Sequence, residues 1–164
     1  LKTVRIRQVK KETRLLGLAA GRVGDAYAVV GVVYRGGLAV DGVLCRVSAS
    51  PALAAAAADM IRESVHFNQI RVAAVDVDGL PPGAALNLDA LASGTGKPVL
   101  GLTRAGGEID ERHMFPWRGY TVTCVGLRRG DAERVLDVCS GDGYPEALRV
   151  ASMVAGGLPD LHKV

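Results

Sequence analysis

Apolar residues in this chain fall in short blocks whose period changes along the sequence. Residues 13–20 (TRLLGLAA) and 26–34 (AYAVVGVVY) are nearly continuous apolar runs, and they predict two buried strands folded as a hairpin about the turn at Gly21-Arg22-Val23-Gly24-Asp25. Arg35-Gly36-Gly37 makes the next turn. Residues 38–48 (LAVDGVLCRVS) then alternate well enough for a third strand, with a bulge expected at Asp41-Gly42. Ser50-Pro51 pairs a capping hydroxyl with a proline that needs no N–H partner, so a helix is expected from there to about Val65. Its apolar stripe is Leu53, Ala57, Met60, Ile61 and Val65.

The block at 71–77 differs from all of these. It is an almost unbroken run of Val and Ala, the composition of a strand covered on both faces. It ends in Asp76 and Asp78, which bracket Val77 just before the turn-forming residues 79–83. At least one carboxylate is therefore expected at the carboxyl end of a central strand, where open α/β sheets bind ligands. The plainer alternative makes Asp78-Gly79 a turn and Asp76 a loop cap. Further on, 84–92 suits a short helix closed by Gly94, 98–102 and 120–127 read as strands, 130–138 and 145–156 as helices, and 159–164 as a frayed tail. Between them His113-Met114-Phe115-Pro116-Trp117 reads as an aromatic flap over the sheet edge, or as a stacking or partner surface.

The order β-β-β-α-β-α-β, then β-α-α, predicts a three-stranded antiparallel meander followed by β-α-β crossovers. That is an α/β mixed sheet with helices on its faces, as in ribonuclease H-like folds. A chain of 164 residues with 49% hydrophobic content is expected to form a single domain with one sizeable core. Aromatics are only 4%, so small aliphatic side chains must fill that core. No apolar run approaches the roughly 18 residues a membrane span needs, and no signal-like apolar core follows the basic start; a cytoplasmic location is the expectation.

Cys45, Cys124 and Cys139 have no metal-ligand spacing and an odd count, so reduced, buried thiols are expected. The net charge of +3 is concentrated in residues 1–14, where Lys2, Arg5, Arg7, Lys10, Lys11 and Arg14 face Glu12 alone. This arm either tracks phosphates or is a solvated, partly mobile terminus. Gly94-Thr95-Gly96-Lys97 is not a phosphate loop: Leu91 stands where its first glycine belongs, Pro98 where its hydroxyl belongs, and a strand follows.

Taken together, several segments resemble the endonuclease V-like family described as domain of unknown function ninety-nine. They are Lys10-Lys11 leading into RLLG, then VVGVVYRGG and DGVLCRVS, Ser64-Val65-His66, Gln69-Ile70-Arg71-Val72 entering the strand that ends in Asp76, and Pro145-Glu146-Ala147-Leu148-Arg149. The likeness extends over about residues 10–157. It implies an archaeal protein of ribonuclease H-like fold, related to a metal-dependent enzyme that cuts nucleic acid near deaminated bases. Such chemistry gathers two or three carboxylates on Mg²⁺, one from the first strand and one from the fourth.

Asp76 fills the fourth-strand place. The family's aspartate pair after the first-strand glycine is replaced here by Ala19-Ala20, which follow Gly17-Leu18. Ser152 also stands where members carry His, and the segment 106–116 is short. The resemblance with these departures implies a domain that binds nucleic acid, or a protein working on it, without cutting and without a cofactor. Arg7, Lys10, Lys11 and Arg71 are its candidate nucleic-acid contacts. The alternatives are an active Mg²⁺-dependent endonuclease, with Asp78, Asp25, Asp41 or Glu146 joining Asp76, and a structural or regulatory subunit that contacts only protein, including a homo-oligomer. His66 is expected to satisfy carbonyls at the first helix's end, while His113 and His162 show no partners in the sequence.

Overall fold

The computed structural model describes residues 2–104, 109–110 and 112–162. Its strands are β1 (Arg14–Val23), β2 (Ala26–Arg35), β3 (Ala39–Ser48), β4 (Ile70–Asp76), β5 (Val99–Thr103), β6 (Met114–Trp117) and β7 (Tyr120–Val125). They form one mixed sheet in the order β3-β2-β1-β4-β5-β7-β6. The meander β1-β2-β3 is antiparallel, β4 joins β1 in parallel, and β5 joins β4 in parallel. The expected ribonuclease H-like arrangement is thus present.

Helices cover both faces. α1 (Ala54–Arg62) and α2 (Leu88–Thr95) bury Ala57, Met60, Ile61, Leu91 and Ala92 against Leu16, Leu18, Val29 and Val75. α3 (Arg129–Ser140) and α4 (Glu146–His162) bury Val135, Leu136, Leu148 and Ala151 against Leu15, Val30, Val32 and Leu100. The alternation of β1 therefore feeds two cores, one on each side of the sheet. α4 lies nearly on the backbone of β1. A Cβ on Gly17 would come within 2.4 Å of the Ala147 carbonyl group, and one on Gly21 within 2.8 Å of the Ala155 oxygen.

Local signals misplaced several boundaries. α1 starts at Ala54, not at Ser50-Pro51, because Ala85 N–H donates to the Pro51 carbonyl and Leu53 N–H to the Ala85 carbonyl, which ties this segment to a short bridge. It stops before Val65, which is 93% exposed, so that residue leaves the expected stripe. α2 begins one capping residue after Asn87, whose Oδ1 accepts from Ala90 N–H at 2.9 Å, and it closes on Gly96 in the left-handed conformation rather than on Gly94. The flap expected at 113–117 is an edge strand, β6, with Phe115 and Trp117 buried; the Ala105-Gly106-Gly107 opening of that connection lies outside the described residues. The frayed tail is replaced by helix as far as His162.

The basic N-terminal segment is anchored, not loose. Val4 bridges Leu127 in parallel, Ile6 is 2% exposed, and the Ile6 N–H donates to the buried Asp131 carboxylate at 3.1 Å. Cys45 also departs from expectation, since it is exposed while Cys124 and Cys139 are buried. No helix among the described residues is long and apolar enough to cross a membrane.

Candidate functional site

Asp76 closes β4 with its carboxylate half-buried on the α4 side of the sheet. Oδ1 accepts from Gly79 N–H at 3.2 Å, and Oδ2 accepts from the Ser152 hydroxyl of α4 at 3.4 Å. β1 and β4 run in the register Gly17 to Ala74 and Leu18 to Val75, so the next step sets Ala19 beside Asp76. Ala19 belongs to the α3/α4 core and Ala20 to the α1/α2 core. Of the two alanines, only Ala19 shares a face with Asp76.

Asp78 points elsewhere. Its Oδ1 accepts from Thr103 Oγ1 at 2.5 Å and its Oδ2 from Arg104 N–H at 2.6 Å, so this carboxylate binds the end of β5. The Arg104 backbone N–H and then the Thr103 hydroxyl hold its pKa below the usual carboxylate range. The other acids lie apart. Asp41 is held by Arg14 and Arg35, beside the β2–β3 turn at the opposite end of the sheet, Glu146 is paired with Arg149, and Asp25 sits in the exposed β1–β2 turn. Among the described residues no group of three or more His, Cys, Asp or Glu could hold a metal ion. One carboxylate and one serine hydroxyl do not fit the hard, multiply anionic oxygen shell that Mg²⁺ chemistry on phosphodiesters requires.

Beside the two aspartates stands a group of which the sequence singled out only Trp117, in the aromatic segment 113–117. The Arg104 guanidinium donates to the Tyr120 hydroxyl from Nη2 at 2.6 Å and from Nε at 3.1 Å, and its centre lies 5.0 Å from the Tyr120 ring centroid. Tyr120 in turn is 5.1 Å from Tyr144 and 6.4 Å from Trp117, whose ring carries Arg118 at 4.7 Å. Trp117 is fixed by its Nε1 donating to Asp137 at 2.9 Å. Burial, then the negative charge of Asp76, pushes the Tyr144 phenol well above its ordinary range, so it stays protonated. Arg104 and Arg118 are exposed, and Tyr120 and Tyr144 are half-buried. The result is a shelf of aromatic rings edged by two cations, suited to stacking planar groups and meeting phosphate. Its members come from the end of β5, the β6–β7 hairpin and the segment just before α4, and no short sequence window contains more than two of the rings.

Of the basic candidates, Lys11 reaches the margin of this shelf, lining a cleft together with Gly141 and Tyr144. Lys10 and Lys11 are exposed and precede β1, where the Lys11 carbonyl lies against Gly36 of the β2–β3 turn. Arg71 is the second residue of β4, about 16 Å from Asp76 by strand rise. Arg7 is exposed next to buried Ile6, on the segment that follows the bridge to Leu127. Arg7, Lys10 and Arg71 lie toward the sheet end opposite Asp76. His66 does not cap α1 through its ring: Nε2 lies against Gly42 of β3, 2.4 Å from where a Cβ would stand. His113 lines a wide cleft of about 870 Å³ with Asp110 and Arg112, and the side chain of His162 lies outside the described residues.

No family model matches the chain. A UPF0215 protein from Methanosarcina mazei is 34% identical over 92% of both chains. This chain belongs to the UPF0215 family. UPF0215 relatives from Methanothermobacter thermautotrophicus and Methanopyrus kandleri are 28% and 29% identical over 93% and 94% of this chain and 90% and 95% of theirs. The aligned stretch with the Methanosarcina mazei relative runs to 183 positions, more than the chain's 164 residues, so that relative carries insertions this UPF0215 member lacks.

Among solved structures, a protein of unknown function from Archaeoglobus fulgidus superposes with a TM-score of 0.75 at 20% identity, covering 88% of this chain and 97% of that one. Human ENDOV gives 0.65 at 16% identity over 93% and 86%. Ciona intestinalis Endonuclease V, in complex with a 24mer DNA containing an inosine followed by a ribo-adenosine, gives 0.65 at 11% over 92% and 87%. These likenesses give this UPF0215 chain an endonuclease V-like fold.

Proposed function

We propose that this UPF0215 chain binds nucleic acid at the Asp76 end of its sheet without cutting it. The observation that carries the reading is Ala19, a methyl group placed next to Asp76 where a metal site would need a second carboxylate. Further support comes from the adjoining shelf, where half-buried Tyr120 and Tyr144, backed by buried Trp117, stand beside the exposed cations Arg104 and Arg118. The Ciona Endonuclease V structure holds an inosine-containing DNA on the same fold, which makes nucleic acid the partner class to test first. The basic segment, with Lys11 in one cleft with Tyr144, adds electrostatic attraction for phosphates.

The test is a gel-shift series with single-stranded and inosine-containing duplex DNA and RNA at about 50 and about 200 mM salt, with Mg²⁺ or Mn²⁺ present. Binding that weakens steeply with salt, with strands left intact, is expected. Tyr120→Ala should weaken it by about tenfold or more, since a stacked base contributes roughly 1–3 kcal/mol. Metal-dependent cutting that disappears in Asp76→Ala would overturn the reading, and so would an absence of binding at low salt.

A further inference from the structure

The two edges of the sheet are built differently. β6 is four residues long and carries Pro116, a combination that blunts an edge against further pairing. β3, at the other edge, is ten residues long, and from Gly42 to Ser48 its register with β2 is unbroken. That stretch has neither a proline nor a short length to protect it, and its one charged residue, Arg46, is neutralised by Glu63 on the α1 side. Its one irregularity lies at the end, where Asp41 is skipped in the register and held by Arg14 and Arg35.

The faces of β3 are equally uneven. α1 packs on one side, where Leu44 is half-buried and Arg46 is ion-paired with Glu63. On the other side α4 covers β1 and β2, leaving Val43, Cys45 and Val47 exposed at 53%, as a free thiol, and at 63%. This stripe extends the buried row of Val32 and Val30, to which Val43 and Cys45 are register partners. Such a long, partly apolar open edge is a template for another strand.

The pattern also says which strand fits. About Cys45 the seven residues Gly42 to Ser48 are nearly symmetric in character, so an antiparallel copy sets Val43 against Val47 of the partner copy on the open face. On the other face it sets Leu44 against the aliphatic stem of Arg46, whose charge Glu63 already neutralises. We propose that β3 pairs with β3 of a second copy of this chain about a two-fold axis at Cys45, continuing the sheet from one copy into the next. An isologous contact of this kind is the commonest form of homodimer. The ladder and its side chains bury on the order of 1,000 Å², at the lower end for a specific interface, so the dimer is concentration-dependent.

The arrangement has a chemical signature. Residues directly opposed in an antiparallel pair have Cα atoms about 4.5–5.5 Å apart, within the roughly 4.4–6.8 Å range that a disulfide spans. The two Cys45 thiols would therefore cross-link, while Cys124 and Cys139 cannot compete: both are buried.

Sedimentation or light scattering of the full chain across a wide concentration range, followed by mild copper-phenanthroline oxidation, tests this. The mass should rise from 17.1 kDa toward about twice that value, and oxidation should trap a reducible dimer. Cys45→Ser should lose the covalent species and keep the mass. Val43→Lys with Val47→Lys, at positions exposed in the single chain and so compatible with its fold, should return the mass to one chain with circular dichroism and melting retained. A single-chain mass at every concentration overturns the proposal and assigns the edge to a different partner. A dimer indifferent to the paired lysines, or one in which Cys45 forms no disulfide, overturns it as well.

Discussion

Gly17 is the residue through which α4 reaches the sheet. With a Cβ built there 2.4 Å from the Ala147 carbonyl carbon and oxygen, any side chain must push the helix off β1, and Ser152 moves away from Asp76 with it. Gly17→Ala should destabilise the fold by about 3 kcal/mol, read as a lowered urea midpoint at unchanged slope. Asp76 could be singled out in the sequence because a carboxylate ending a Val/Ala run is a local feature, whereas Ala19 stood out only through the family resemblance, which implies an acid there. Arg104, Tyr120 and Tyr144 could not. They are spaced 16 and 24 residues apart, and only the adjacency of β5, β7 and the start of α4 brings their side chains together.

At the scale of elements, the N-terminal segment behaves as part of the α3 layer. Asp131 on α3 is 6% exposed and accepts from the Ile6 N–H through Oδ2 and from Arg134 through Oδ1, while Arg134 Nη2 donates to the Ile6 carbonyl at 2.6 Å. Asp131→Ala leaves those donors unanswered and should cost about 1–3 kcal/mol. Hydrogen exchange at residues 4–7 should accelerate first, and unchanged protection there would show that the segment is held by other contacts. Charge density suggested a solvated arm, because the periodicity of so short a segment contains no information about a buried Ile6. β6 was missed for a related reason: four residues interrupted by Pro116 carry too little alternation to announce a strand, and its pairing with β7 is what defines it.

For the molecule as a whole, the carboxylates whose pKa is resolved as shifted all move the same way. Asp41 beside Arg35, Glu63 beside Arg46, Asp78 beneath the Arg104 N–H and Glu146 beside Arg149 are each held below the ordinary value. A folded pKa below the unfolded one means that the unfolded chain takes up more protons in acid. The associated stability is complete above the unfolded carboxylate range, about pH 4, and is lost as pH falls through the folded values. Melting temperature should therefore decline steadily on acidification below about pH 5, and Asp78→Asn should flatten part of that decline. These pairs are mostly exposed, so each contribution is small.

The sequence by itself determined most of the succession of strands and helices, the burial of β1, β2 and β4 on both faces, and the presence of a carboxylate at the carboxyl end of the central strand. Those properties depend on residue periods of two and about four and on turn chemistry, all of which act over a few positions. Only the tertiary structure decided that Ala19 and not Ala20 stands next to Asp76, that Asp78 binds β5, that Arg104 meets Tyr120 across the β5–β7 pair, and that β3 is an open edge. Each of these follows from strand register and strand order, which are pairings between distant parts of the chain, and a shift of one residue in register would turn every one of those side chains to the other face.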